Sequence, residues 1–128
     1  MTHDPAQPCS HVPGEALTAA DPTPGMTRRL ASHAGGMWTG TVDTEPGAIS
    51  GWHHHGDYET TIYVVSGRMR MESGPGGADV LEAGPGDFLR VPAGAVHRES
   101  NPTGEPGRAV VVRCGSGEPT VNTDGPAD

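Results

Sequence analysis

The 128-residue sequence predicts one all-β domain, an antiparallel sandwich or barrel, and three observations support this fold class. Short runs rich in β-branched and apolar residues recur along the chain. Clusters of Gly and Pro separate these runs at near-regular spacing, which is typical of strands joined by turns. No stretch keeps a helical period of apolar residues for three turns, so a helical domain is not expected.

Nine segments have this strand-like pattern. The fifth, "RMRMES", alternates strictly between polar and apolar residues, as a half-buried strand does. The later segments are joined by the turn sequences "GPGGA", "GPG", "PAGA" and "NPTGEPG". In chain order the predicted strands cover residues 27–33, 37–44, 48–55, 60–66, 68–73, 79–83, 87–91, 96–100 and 108–114.

The two ends of the chain have a different texture. Residues 1–26 contain five prolines and no sustained periodicity, so we expect an extended or disordered arm. Such an arm could pair with a sheet edge of its own chain or of a partner. Residues 115–128 predict a second tail, which leaves residues 27–114 as the barrel domain.

Composition excludes several function classes. The net charge is −8 and all eight basic residues are Arg, so an unaided nucleic-acid surface is not expected. The lack of Lys excludes Schiff-base chemistry at a lysine.

No segment has the pattern of a membrane span or signal peptide, so we expect a soluble, cytoplasmic protein with no membrane partner. Cys9 and Cys114 form no CxxC pair and are expected to be free thiols.

The stretch "GWHHHGDYET" carries the first candidate site. Side chains alternate faces along a strand, so His53 and His55 should point one way and His54 the other. Two imidazoles on one face can bind one metal ion, with a third ligand supplied by Glu59 or by the distant His97. Histidine with carboxylate suits Fe, Mn, Ni, Cu or Zn. A histidine run alone is also typical of a solvated turn.

A second stretch, "GDFLRVPAGAVHRESN", favours a metal site over a solvated turn. Its spacing, Gly86-x5-Pro92-x-Gly94-x2-His97-x3-Asn101, resembles the second motif of the cupin superfamily. The earlier stretch resembles the first motif, with the spacing Gly47-x5-His53-x-His55-x3-Glu59 and a closing Gly67. The two motifs lie in the expected order, and together they span residues 47–101.

This resemblance implies a mostly antiparallel double-stranded β-helix, or jelly-roll barrel. It also implies one divalent transition metal ion held by His53, His55, Glu59 and His97. The first motif departs from the common pattern by one residue before Gly67, so that Thr60 occupies the position of the usual glutamate. A bulge could restore Glu59 to the metal, which we slightly favour. Otherwise the site has three histidines and water, because a one-residue slip moves a side chain to the other face.

Two classes of function fit these motifs. The first is a mononuclear metalloenzyme acting on a small organic molecule, such as a dioxygenase, isomerase or cyclase. The alternative is a non-catalytic module, either a metal-dependent ligand sensor or an accessory subunit of a larger enzyme. Arg90 and Arg98 could bind an anionic substrate, but surface ion pairs are the expected role. Because open sheet edges favour pairing, we also expect a homodimer.

Overall fold

The computed structural model describes residues 7–127 and contains eleven strands and two short 3₁₀ helices, Gly14–Ala16 and Pro75–Gly77. All the pairings between strands are antiparallel. The strands are β1 (Thr18–Ala19), β2 (Met26–Ala34), β3 (Met37–Thr44), β4 (His53–His54), β5 (Glu59–Ser66), β6 (Met69–Ser73), β7 (Asp79–Ala83), β8 (Phe88–Val91), β9 (His97–Ser100), β10 (Gly107–Cys114) and β11 (Val121–Asn122).

These strands form two sheets. One has the order β1-β2-β3-β10-β5-β8 and the other has the order β11-β4-β9-β6-β7. The predicted all-β jelly-roll architecture is therefore confirmed. Among residues 7–127, no helix is long and apolar enough to cross a membrane.

The nine predicted strands correspond to β2 through β10, and only the third differs clearly in length. The sequence predicts a strand over 48–55, whereas β4 covers His53–His54 and only a single bridge joins Ile49 to Ser100. The Ser50 hydroxyl accepts a hydrogen bond from the Glu99 backbone N–H at 3.0 Å. A side chain thus replaces a regular ladder bond in this segment.

Both ends of the chain add short strands outside the predicted range of 27–114. Strand β1 pairs with β2, and β11 pairs with β4, so each end extends a sheet of its own chain. Residues 1–6 of the predicted arm and Asp128 lie outside the described residues. The bounds of the domain stay a prediction, but the described parts of both ends contact the barrel.

The interior changes from apolar to polar along the barrel. In β10 the inward row runs from Ala109 through Val111 to Arg113, and in β5 it runs from Ile62 to Thr60. The apolar part also includes Met26, Trp38, Val42, Val64, Met69, Met71, Leu89 and Val91. Burial of such side chains contributes about 1.5–3 kcal/mol each. The fold is stabilised mainly at the apolar end, which leaves the polar end available for a site.

The motif glycines have the backbone conformation that tight turns require. Gly47, Gly67, Gly86 and Gly94 all have positive φ, between 72° and 90°. At Gly67, a Cβ atom would also lie 2.7 Å from the Pro106 carbonyl oxygen. Only glycine fits this position, where β5 turns into β6 beside the start of β10.

Candidate metal centre

Four buried side chains with metal-binding atoms lie together at the polar end of the barrel: His53, His55, His97 and Glu99. Their candidate ligand atoms all lie within 4.8 Å of one another. His53 and His97 are direct partners across β4 and β9. Glu99 lies two residues after His97 in β9, so strand alternation places both side chains on the inner face.

Each of the three imidazoles is oriented by a hydrogen bond from its Nδ1 atom to a backbone carbonyl. Because a carbonyl oxygen only accepts, Nδ1 carries the proton, and Nε2 of the neutral ring is left as a lone-pair donor to a metal. The acceptors are Gly51 for His53 (2.8 Å), Pro119 for His55 (2.7 Å) and Ala95 for His97 (3.0 Å).

The chemistry of this donor set fits a cation. Oε1 of Glu99 lies 3.3 Å from Nε2 of His97 and 3.6 Å from Nε2 of His53. A carboxylate oxygen and an unprotonated ring nitrogen both present lone pairs, so this contact is stable only with a positive charge between them. Either a proton on Nε2 or a metal ion supplies that charge. The four residues could therefore hold one metal ion.

His55 is a neutral candidate ligand. Burial, the nearby positive charge of Arg113 and the other two histidines lower its pKa to about 3, although the bond to Pro119 opposes this shift. Its Nε2 lone pair is therefore free of a competing proton at neutral pH. A metal ion at this position would not need to displace a proton from His55.

Glu99 is fixed from its other side by Arg28. The Arg28 guanidinium donates a hydrogen bond to Oε2 at 3.2 Å, while Oε1 faces His53 and His97. Burial alone would raise the pKa of Glu99. The imidazoles of His53 and His97 beside Oε1 and the positive charge of Arg28 outweigh burial and hold the pKa of Glu99 well below its usual value. The carboxylate is therefore ionised and oriented.

The structure does not bring Glu59 to the histidines, which corrects the sequence prediction. Glu59 begins β5 on the outer face and accepts a hydrogen bond from Arg90 at 3.1 Å. Thr60 is buried in its place, with 1% of its surface exposed. Strand alternation is regular from Glu59 to Val64, so no bulge shifts the register here; the irregularity lies near Ser66, at the other end of β5.

Glu99 was missed because the motif spacing directs attention to an acid soon after the first histidines. The signal that could have found it is the i, i+2 spacing of His97 and Glu99 in "VHRES", the same alternation that groups His53 with His55.

The side chain of His54 lies outside the cluster, as predicted, and its Nδ1 atom accepts a hydrogen bond from the Gly56 backbone N–H at 3.0 Å.

A cavity of about 250 Å³ opens beside the cluster, and His53 and His55 line it. Its wall also includes residues 21–23 of the N-terminal arm and Thr120 of the C-terminal segment. The Thr120 hydroxyl donates a hydrogen bond to Asp21 at 3.2 Å, which joins the two ends at the cavity. The predicted tails therefore form part of the site.

The fold and the cluster define a class of protein, the double-stranded β-helix barrel with a group of donor side chains inside. Residues 40–113, more than half of the chain, match the family described as the Cupin domain. The chain therefore belongs to the cupin family. No curated protein matches it in sequence.

Solved structures with this fold have low sequence identity to the chain. The polyketide cyclase RemF from Streptomyces resistomycificus is 24% identical, with a TM-score of 0.73, over 90% of this chain and 85% of that chain. KdgF from Halomonas sp. is 21% identical, with a TM-score of 0.70, over 84% and 96%. Oxalate decarboxylase from Bacillus subtilis is 22% identical, with a TM-score of 0.69, over 81% of this chain and 29% of that chain. These similarities concern the fold.

Proposed function

We propose that this cupin binds one divalent transition metal ion through His53, His55, His97 and Glu99. The observation that carries the proposal is the shared orientation of the imidazoles, each with Nδ1 bonded to a carbonyl and Nε2 available to the cluster. Three nitrogens and one carboxylate oxygen suit Fe, Mn, Zn, Ni or Cu. In this proposed ligand set, Glu99 takes the place that the sequence motif implied for Glu59.

We further propose that the protein is a mononuclear metalloenzyme acting on a small organic molecule. A bound metal would supply Lewis-acid or redox chemistry at one wall of the cavity. The chain's own residues would keep that wall in place: backbone carbonyls hold the rings, and Arg28 holds Glu99. The cavity next to these residues would admit the substrate from solvent.

The reaction class we propose is that of a dioxygenase, isomerase or cyclase. Proteins with this fold include a polyketide cyclase, a sugar phosphate isomerase and an oxalate decarboxylase with Mn(II) centres. These neighbours are enzymes built on the same barrel, which supports catalysis over a passive binding role. Function must be argued from the site, however, because one fold hosts many activities.

Elemental analysis of the purified protein tests the metal proposal. We expect close to one transition metal ion per chain, and a variant with His97→Ala should lose it. A screen for O₂ uptake and for turnover of small organic substrates then tests catalysis. A protein that holds stoichiometric metal but turns over no substrate in such a screen would instead support the alternative, a metal-dependent sensor or an accessory subunit.

We also propose a homodimer. The cross-strand row Val110, Tyr63 and Phe88 is exposed on the outer face, and Phe88 is 67% exposed on β8, the last strand of its sheet. An exposed apolar row next to an open edge favours association. Sedimentation should show a dimer at about tens of micromolar, a concentration suited to modest affinity, and Phe88→Asp should shift it to monomer. A wild-type monomer at that concentration would contradict the proposal.

A cytoplasmic location is proposed as well. Cys9 and Cys114 are both exposed free thiols, as the sequence predicts, which suits a reducing compartment. Fractionation of the producing cells should recover the protein with the cytoplasmic markers. Recovery in a secreted or periplasmic fraction would contradict this assignment.

A further inference from the structure

Arg113 stands apart from the other arginines. Six of the eight arginines form ion pairs with acidic side chains in residues 7–127, including Arg90 with Glu59 and Arg98 with Glu72, as predicted. A seventh, Arg68, is exposed. Arg113 is only 4% exposed, yet it forms no such ion pair within the described part of the chain.

The surroundings of Arg113 satisfy its charge incompletely. Its guanidinium lies 4.5 Å from the ring centroid of Trp38, a cation–π contact that stabilises the charge without neutralising it. Its buried Nε atom has no hydrogen-bond partner among residues 7–127. Burial lowers the pKa of Arg113 from its usual range, although Glu99 and Asp21 partly oppose this shift.

Folding alone does not explain a buried guanidinium at this position. Burying a charge without a paired opposite charge destabilises the fold, and a Met or Leu at the end of the inward row of β10 would avoid that cost. A buried charged residue without a partner is instead typical of a site that receives an opposite charge from a ligand. The side chain does line the cavity beside His53 and His55.

Arg113 is the group in the cavity wall that suits an anion. The charged groups in its wall are Arg28, Arg113 and Asp21, and Arg28 is already paired with Glu99. Arg113 is therefore the positive charge that remains available to a ligand. Asp21 also lies in the wall but forms no ion pair with Arg113, and its hydrogen bond comes from Thr120.

We propose that this cavity binds the carboxylate group of a small organic acid, with Arg113 as the anion-binding residue. The proposal rests on the proposed function, since the rest of the acid would lie toward His53 and His55. A planar guanidinium matches a carboxylate well, and charge-assisted hydrogen bonds of this kind are strong. The volume of about 250 Å³ lies just below the usual range for drug-sized ligands, which indicates a small acid.

Calorimetric titration of the metal-loaded protein with lactate and with lactamide tests this proposal. The two probes have nearly the same size and shape, but only lactate carries a negative charge. We expect lactate to bind at least about 10-fold more tightly, since charge-assisted hydrogen bonds are roughly twice as strong as neutral ones. Equal binding of the two probes, or binding of neither up to tens of millimolar, would overturn the proposal.

The variant Arg113→Met, which keeps the volume of the side chain close to that of the original, tests the residue itself. It should keep its metal and lose the preference for lactate, whereas the matched control Arg90→Met on the outer face should bind lactate as the wild type does. If Arg113→Met does not fold, the comparison of lactate with lactamide on the metal-free wild type decides, because no metal charge can then account for a preference. Unchanged lactate binding in a folded Arg113→Met variant would contradict the assignment.

Elemental analysis separates this proposal from the metal proposal. If the wild type holds no metal, the proposed function fails, and titration of that metal-free protein with the two probes still tests Arg113. If metal is present but charge makes no difference to binding, only the anion proposal fails. Inorganic phosphate serves as a third probe: phosphate that displaces lactate and binds more tightly would assign the cavity to a phosphate ester and overturn the carboxylate.

Discussion

The inner and outer faces of the barrel wall carry matched residues that differ in environment. His55 is buried on the inner face, while the adjacent His54 points away from the cluster. Glu99 is buried between histidines and Arg28, while Glu59 pairs with the exposed Arg90. The comparison teaches that residue type alone does not identify a ligand here. Burial separates the candidate ligands from their surface counterparts, since His54 and Glu59 have hydrogen-bond partners as well.

The largest expected effect separates His53 from His54. The change His53→Ala removes a proposed ligand and should lower metal affinity by more than about 100-fold, since losses around the ligands already cost about 10–100-fold. The change His54→Ala should leave close to one metal per chain. Elemental analysis after dialysis measures both. Loss of metal in the His54 variant with retention in the His53 variant would reverse the assignment of faces.

The next comparison separates Glu99 from Glu59. The change Glu99→Gln keeps the shape but removes the negative charge beside two ring nitrogens, so metal affinity should fall about 10-fold or more. The change Glu59→Gln should not alter it, because that carboxylate lies on the outer face with Arg90. Competition with a metal indicator measures both affinities. Weaker binding in the Glu59 variant alone would restore the ligand set implied by the sequence motif.

The sequence predicted the barrel well because its strands rely on local signals. The strand from Met69 to Ser73 alternates polar and apolar residues, and the turn glycines mark where strands end. The three histidines were also predictable, since His53 and His55 are two residues apart and "PAGAVH" marks the third. These features depend on alternation and turn chemistry, which the sequence displays directly.

The rest of the site depends on contacts between distant segments. Pro119 orients His55 through its carbonyl, and Asp21 lies at the cavity with Thr120, yet both ends of the chain have only the composition of tails. Arg113 ends an ordinary apolar strand in the sequence, and only the packing of sheets reveals that it faces the cavity. A backbone carbonyl or a buried orientation leaves no residue pattern to detect.

Metal removal should reduce stability only where the inner face is intact. A metal present at about 100 times its dissociation constant stabilises the folded state by about 2.7 kcal/mol. For a domain of this size, chelation should lower the melting temperature by about 10 °C. The Glu59→Gln variant should show the same shift, and His53→Ala should show none. An equal shift in His53→Ala would mean that the chelated metal binds elsewhere.

The inner face should also give the metal-free protein a dependence on pH. The pKa of His55 is lowered to about 3, while the unfolded chain binds this proton near its usual pKa of about 6.5. Protonation therefore favours the unfolded state, and stability is lost as the pH falls from about 6.5 toward 3. Between pH 7 and pH 5 the loss from this group is about 2 kcal/mol. Urea unfolding should show that His55→Gln removes this part of the slope, and an unchanged slope would contradict burial as its cause.

The smallest expected effect concerns the outer ion pair, and a double-mutant cycle measures it against the inner pair. Glu59 and Arg90 are 51% and 68% exposed, so solvent screens their attraction and the coupling free energy should be about 0.2–1 kcal/mol. Glu99 and Arg28 are 7% and 10% exposed, so their coupling should exceed that of the outer pair, because removing one partner of a buried pair alone costs about 3–5 kcal/mol. Unfolding of the metal-free proteins in urea gives both values without a contribution from metal binding. Similar coupling in the two pairs would mean that solvent reaches both faces of the wall equally, and the distinction between Glu99 and Glu59 as candidate ligands would lose its physical basis.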